Sequence, residues 1–286
     1  MKIGLRIPGA GRQMPFEEFC RWCVDNGFEA VDIGEATPEV VQTARAAGLA
    51  IGSSDLPGVS NLLSVDKVQQ AAGAEAAKNA IQAAADNDVH IMFCVFNPED
   101  ASLGRAKNFE LWRATVPPIA EFAAARGVSI AVEGWPGGGP AYPALGCTPE
   151  TLRPMFAECP NGLGVNFDPS HLVRIGVDYL RMLNEFASKV VHVHGKDTVF
   201  DEEALYLHGN LGPVFHSPRG FGEDWWRYCI PGDGLVDWLK VIQRLEDGGF
   251  DGIISVELED YRYSKDWDAQ ADGLLRSRAH LAHYVR

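Results

Sequence analysis

Four short stretches share one alternation of polar and apolar positions, and each closes on a side chain able to bind a metal. They are Ser129-Ile-Ala-Val-Glu133, Gly164-Val-Asn-Phe-Asp168, Val190-Val-His-Val-His194 and Ile253-Ile-Ser-Val-Glu257. Side chains in a strand point alternately to opposite faces. One face of the four therefore carries Glu133, Ala131, Ser129; Asp168, Asn166, Gly164; His194, His192, Val190; and Glu257, Ser255, Ile253. The other carries Val132, Ile130; Phe167, Val165; Val193, Val191; and Val256, Ile254. A small or polar face opposite a greasy one is the pattern of barrel strands, with the polar side turned inward and the apolar side packed on helices. The rest of the chain repeats the same unit. Strand-like runs fall near 2–6, 29–33, 49–53, 89–96, 128–133, 162–168, 189–194 and 252–257. Helical patterns fall near 15–26, 37–47, 64–87, 104–126, 148–158, 176–187, 234–247 and 267–284. Thr148-Pro reads as a helix N-cap with proline at the first helical position, and Asp247-Gly-Gly as a helix end.

Eight strands alternating with helices predict one (β/α)₈ TIM barrel over 1–286. The rival, a doubly wound dinucleotide-binding sheet, needs a Gly-rich phosphate turn after an early strand, and none is present. The run Gly137-Gly-Gly-Pro after Glu133 reads as a mobile loop. Glu133, Asp168, His194 and Glu257 are 35, 26 and 63 residues apart. One βα unit takes about 30 residues, so the last interval, after the seventh strand, holds an excursion at roughly 198–231. It carries His208, Asn210, His216, Arg219, Trp225, Trp226, Arg227 and Tyr228 and reads as an ordered lid over the barrel mouth.

Composition narrows the function. The 286 residues are 46% hydrophobic and 22% charged, ordinary for a globular protein, and the net charge of −14 disfavours a nucleic-acid partner. No apolar run is long enough to span a membrane, and the opening Met-Lys-Ile-Gly-Leu-Arg-Ile-Pro reads as a first strand rather than a signal peptide. Six sparse cysteines fit reduced thiols in a cytoplasmic setting. Cys20 and Cys23 form a lone CxxC inside a helical pattern and read as core.

Two glutamates, an aspartate and a histidine offer hard oxygen with one borderline nitrogen. That set suits one divalent metal: Mn²⁺ first, with Mg²⁺, Co²⁺ or Zn²⁺ also compatible. Such a metal polarises a carbonyl, while Glu133 and Glu257, placed on opposite faces of an enediolate, remove and return a proton. His171, three residues after Asp168, is placed to hydrogen-bond a substrate oxygen. His192 lies one pleat deeper than His194 and would position ligands. Lys196 continues the same parity toward the mouth. Lys196, Arg227, Trp135 and His192 together form the expected substrate-binding set.

These residues resemble the sugar phosphate isomerase/epimerase group of xylose isomerase-like TIM barrels, which includes ketose 3-epimerases, hydroxypyruvate isomerases, inosose dehydratases and, more distantly, endonuclease IV. The matching motifs are Val-Glu133-Gly-Trp-Pro-Gly, Asn-Phe-Asp168-Pro-Ser-His171, His192-Val-His194-Gly-Lys196-Asp197, and Trp-Arg-Tyr through Pro-Gly-Asp-Gly-Leu-Val-Asp-Trp238 to Ser-Val-Glu257-Leu-Glu-Asp260. The resemblance implies Glu133, Asp168, His194 and Glu257 as metal ligands, the two glutamates as acid/base pair, and His171 at substrate oxygen. Lys196-Asp197 stands where ketose 3-epimerases tend to carry a glutamate, and is closer to the inosose-dehydratase-like branch. The reading is thus a metal-dependent keto-sugar isomerase or epimerase. A lyase on the same scaffold, dehydrating an inosose or cleaving a keto-glycoside, is the main alternative. An endonuclease would need a basic face, and a non-catalytic sugar binder would not need two opposed glutamates. A homo-oligomer, dimer or tetramer, is left open.

Overall fold

The structure, a computed structural model, describes residues 1–138, 141–216 and 224–285. Gly139 and Pro140 of the expected mobile loop, and 217–223 of the expected lid with Arg219, lie outside the described residues. The described strands are β1 (Lys2–Arg6), β2 (Ala30–Ile33), β3 (Ala50–Asp55), β4 (Ile91–Cys94), β5 (Ser129–Glu133), β6 (Leu163–Phe167), β7 (Val190–Gly195), β8 (Asp197–Phe200), β9 (Trp226–Cys229) and β10 (Ile253–Val256). Eight of them close a barrel in the order β1-β10-β7-β6-β5-β4-β3-β2, every pairing parallel. The fold is the (β/α)₈ barrel that the alternation predicts.

The greasy faces of the strands form the shell of the core. Ile130, Val132, Val165, Phe167, Val193, Ile254 and Val256 are all buried against the surrounding helices. The helix Trp238–Asp247 shows the complementary pattern, burying Trp238, Val241, Ile242 and Leu245, spaced three and four apart. Cys20 and Cys23 are free thiols buried on one helix face, as the periodicity predicts.

Helix boundaries follow local chemistry. The stretch expected as one helix over 104–126 is two, Gly104–Thr115 and Pro117–Ala124, because Pro117 has no N–H to continue the ladder. The helix Pro149–Glu158 starts where Thr148-Pro predicts, but the Thr148 hydroxyl makes no capping bond to the backbone. At Asp247-Gly-Gly the left-handed residue is Gly249, at φ 79°, and not Gly248.

The excursion after β7 has its own structure. β8 and β9 pair antiparallel, in the register Thr198 with Tyr228 and Val199 with Arg227, and enclose a helix, Glu202–His208. A hydrogen bond from Thr198 Oγ1 to the Ser170 carbonyl (2.8 Å) fastens this hairpin beside the barrel mouth.

Candidate active site

Each expected ligand stands at the carboxyl-terminal end of a barrel strand, where barrel sites are built. Glu133 ends β5, Asp168 follows β6, His194 lies in β7 and Glu257 follows β10. All are buried or nearly so, with Glu133 and Asp168 each 3% exposed.

Local sequence aims Asp168. It is the N-cap of the short helix Pro169–Ile175: Oδ1 accepts from the Ser170 N–H (2.9 Å) and hydroxyl (2.6 Å), and proline occupies the first helical position. With Oδ1 held by the cap, Oδ2 is left for the site. The same helix carries His171 inward. Its Nδ1 meets the Tyr228 hydroxyl at 2.6 Å, and its Nε2 lies 3.4 Å from both Glu133 Oε2 and Asp168 Oδ2. Arg174, a turn further on, donates to Tyr228 Oη (3.1 Å) and stacks its guanidinium 3.9 Å over Trp226. The β8–β9 hairpin thus supports His171 from behind.

Atoms of Glu133, Asp168, His171 and Glu257 able to ligate lie within 4.8 Å of one another. His194 Nδ1 joins them, 2.6 Å from Glu133 Oε1 and 3.2 Å from Glu257 Oε2. Two observations make this donor set fit a divalent cation. Asp168 Oδ2 and His194 Nδ1 are buried without a hydrogen bond. The approach of His194 Nδ1 to Glu133 Oε1, at 2.6 Å, brings two atoms able to ligate to one place. The set of hard oxygens plus imidazole, without sulfur, is donor chemistry suited to a divalent cation.

Behind His194 lies a second buried group. Asp32, at the inner face of β2, bonds His192 Nε2 at 3.0 Å and stands 3.7 Å from His194 Nε2. Gly52 leaves room for it, since a Cβ there would collide with the Asp32 carboxylate. His192, expected near substrate, thus has its Nε2 on this inner carboxylate. A carboxylate on the far nitrogen of a ligating imidazole fixes its tautomer and direction.

The side chain of Lys196 is almost fully buried, and its ammonium lies 2.5 Å from Glu257 Oε2, 2.8 Å from Glu259 Oε2 and 3.2 Å from Asp168 Oδ2. Burial disfavours the charged amine, but Asp168, Glu257 and Glu259 reverse this and hold it protonated. Burial likewise opposes ionisation of Glu257, and Lys196 and His194 overcome it, keeping its pKa well below the usual range. Glu133 is also held low, with burial and Glu257 opposed by His194 and His171. For His194, burial is outweighed by Glu257 and Glu133, and the imidazole pKa rises.

The remaining expected residues are spread around the rim. Arg227 is buried with Nη1 2.6 Å from Asp260 Oδ2, and Trp135 is half-buried in the loop after β5. Sequence reasoning missed Arg6, Asp32, Asp55 and Glu259, and named Tyr228 only as part of the lid. Arg6 ends β1, pairs with Asp55 (2.9 Å), reaches Glu257 Oε1 (3.4 Å) and lies 4.4 Å over Phe93, whose ring stacks on His194. The parity rule that found the four ligands also applies to β1 and β2: Gly4, Arg6 and Ala30, Asp32 alternate with Ile3, Leu5 and Val31, Ile33.

A closed parallel barrel with carboxylates and imidazoles at its carboxyl-terminal mouth defines an α/β-barrel protein with a strand-end site. Residues 18–282 match the profile of xylose isomerase-like TIM barrels, and the chain belongs to that family. Inosose dehydratase from Geobacillus thermodenitrificans (strain NG80-2) is 28% identical over 148 residues, which is 49% of this chain and 44% of that protein. The chain spans less than half the length of the curated inosose dehydratases it matches. Among solved structures, a D-tagatose 3-epimerase-like protein superposes with a TM-score of 0.66 at 20% identity, covering 99% of this chain and 97% of that one. L-ribulose 3-epimerase superposes with 0.69 at 16% identity, covering 99% and 93%. At these identities the structural likeness concerns the fold.

Proposed function

We propose that this protein is a divalent-metal-dependent isomerase or epimerase of a sugar or keto-sugar, with Glu133 and Glu257 as its acid/base pair. The observation that carries the reading is the buried cluster of Glu133, Asp168, His171 and Glu257, whose ligand atoms lie within 4.8 Å of one another, with His194 Nδ1 beside Glu133 and Glu257. The bound cation, with Mn²⁺ first on donor chemistry, would supply Lewis-acid polarisation of a substrate carbonyl. Glu133, Asp168, His194 and Glu257 would hold it. One glutamate takes the proton from the carbon beside the carbonyl and the other returns one, each step typically contributing about 10²–10⁴-fold. His171, braced by Tyr228, donates to the oxygen on which charge develops. Lys196 keeps Glu257 ionised and so able to accept a proton, while lowering its basicity.

A second reading, elimination of water from a ketone-bearing polyol, is favoured by one contact. The Lys196 ammonium lies 3.4 Å from His171 Nε2 beside the carboxylates, and the pair would offer a proton to a departing hydroxyl. The inosose dehydratase relatives point the same way.

The test is metal content followed by exchange. Purified protein should hold about one divalent ion per chain by plasma mass spectrometry. With keto-sugars or inososes in D₂O, NMR should show deuterium entering beside the carbonyl. Water loss with the exchange assigns the lyase reading. Glu257→Gln, assayed at a Mn²⁺ concentration that restores one ion per chain, should lose at least 10²-fold in exchange; wild-type exchange in that variant would overturn the acid/base assignment.

A further inference from the structure

Lys196 brings an ammonium onto the oxygens that a divalent cation would use. Lysine is almost never fully buried unless paired, and the partners of this one are unequal. Nζ lies 2.5 Å from Glu257 Oε2 and 3.2 Å from Asp168 Oδ2. Asp168 Oδ2 is the oxygen that the helix cap leaves for the site, and Glu257 Oε2 is the one that faces His194 Nδ1 at 3.2 Å. The third partner, Glu259 Oε2 at 2.8 Å, stands outside the cluster of Glu133, Asp168, His171 and Glu257, and its side chain is 40% exposed. The Tyr228 ring, 4.8 Å from Nζ, is a further partner outside that cluster.

Two cations on the same two oxygens repel. Even screened as in bulk water, a single and a double positive charge about 4 Å apart repel by more than about a tenfold factor in affinity. Burial weakens that screening, so one partner has to yield. Asp168 is held by its cap to the Ser170 N–H and hydroxyl. The backbone beside Lys196 is also held, because Asp197 accepts from the N–H groups of Thr198 and Val236. Movement therefore falls to the lysine stem, a flexible four-carbon chain whose donors rotate freely. Turning that stem gives up Asp168 and Glu257 and can keep Glu259. A carboxylate outside the ligand set thus offers the ammonium a resting place at the edge of the cluster. The cluster can then exchange a tethered cation for a free one without passing through bare, unpaired carboxylates.

We propose that Lys196 is a tethered competitor of the divalent ion: its ammonium holds Asp168 and Glu257 until the ion displaces it, and Glu259 then retains it. The proposal rests on the metal-site reading, and calorimetric titration of the chelator-treated protein with Mn²⁺ separates the two. Lys196→Met keeps an unbranched stem and removes the charge. It should bind Mn²⁺ about tenfold or more tightly than the wild type, still at one ion per chain, and the added substitution Asp168→Asn should abolish that binding. Glu259→Gln should weaken Mn²⁺ by about threefold or more in the wild-type background, because the displaced ammonium loses its partner. In the Lys196→Met background the same change should cost less than about twofold, since a carboxylate acting only through its field would weaken the ion equally in both. Should Lys196→Met fail to fold, Lys196→Gln, whose amide can still donate to the carboxylates, takes its place in the cycle. Equal Mn²⁺ affinity of the wild type and the uncharged variant, or an equal effect of Glu259→Gln in both backgrounds, would overturn the proposal. A one-ion site in the wild type with an indifferent Lys196→Met removes the competitor alone. No stoichiometric uptake of Mn²⁺ by either protein removes the metal-site reading and the competitor with it.

Discussion

At the scale of single residues, the site depends on side chains that never face the reacting carbons. Asp32 is the clearest case. Its carboxylate is 2% exposed, and its ionised form is favoured despite burial because His192 and His194 surround it. Replacing it with asparagine keeps the shape and removes the charge. The far nitrogen of His194 then loses the buried negative charge 3.7 Å away, and His192 loses its carboxylate partner. Loss of such a supporting carboxylate typically costs about 10–100-fold in metal affinity or activity. Asp32→Asn should therefore weaken Mn²⁺ binding by that factor in a calorimetric titration, with circular dichroism unchanged. Undiminished affinity would show that His194 needs no support from Asp32.

At the scale of elements, the Lys196-Asp197 pair divides its labour. Lys196 ends among the site carboxylates, while Asp197 ties down the returning chain between β9 and the helix Trp238–Asp247. Its Oδ1 accepts from the N–H groups of Thr198 (2.8 Å) and Val236 (3.0 Å), and its Oδ2 from Gly232 N–H and Trp238 Nε1 (both 3.3 Å). The motif Pro-Gly-Asp-Gly is shaped for this. Gly232 takes φ 96°, and a Cβ on Gly234 would collide with the Asp197 carboxylate. Every neighbour of Asp197 is a donor, so an amide turns one NH₂ toward N–H groups. Asp197→Asn should cost about 2–3 kcal/mol, the scale of a buried group left without its partner, read as a lower urea midpoint. An unchanged midpoint would mean that the loop is held elsewhere. The excursion's presence was legible in the sequence from the surplus between His194 and Glu257, but its contents were not. β9 buries all four of its residues, so it shows no alternation. The helix Glu202–His208 exposes Leu205, Tyr206 and Leu207, so its periodicity misleads. The seven-residue helix Pro169–Ile175 is too short to give a period of its own. The strands that lead to Glu133, Asp168, His194 and Glu257 were readable because each alternates between a crowded apolar shell and a small or polar interior, whereas β4, Ile-Met-Phe-Cys, has no polar face.

At the scale of the whole molecule, the barrel gathers negative charge at one end of an already acidic chain. Glu133, Asp168, Glu257 and Glu259 meet at the mouth, and Lys196 with His194 offsets only part of their repulsion. The net charge of −14 adds a general attraction for cations. A divalent ion that binds the folded site and not the unfolded chain stabilises the fold by mass action, by about 2.7 kcal/mol at a hundredfold excess over its dissociation constant. For a chain of this size each kcal/mol shifts the melting temperature by about 2 °C. Saturating Mn²⁺ should therefore raise the melting temperature of the chelator-treated protein by about 5 °C, and renewed chelation should reverse the rise. The gain should vanish in Asp168→Asn, whose amide still caps the helix Pro169–Ile175 through its oxygen but offers the site no anion. Melting curves with and without Mn²⁺ for both proteins check this directly. An equal rise in Asp168→Asn would place the ion elsewhere on the acidic surface, and the strand-end cluster would then stand as a metal-free network built around Lys196.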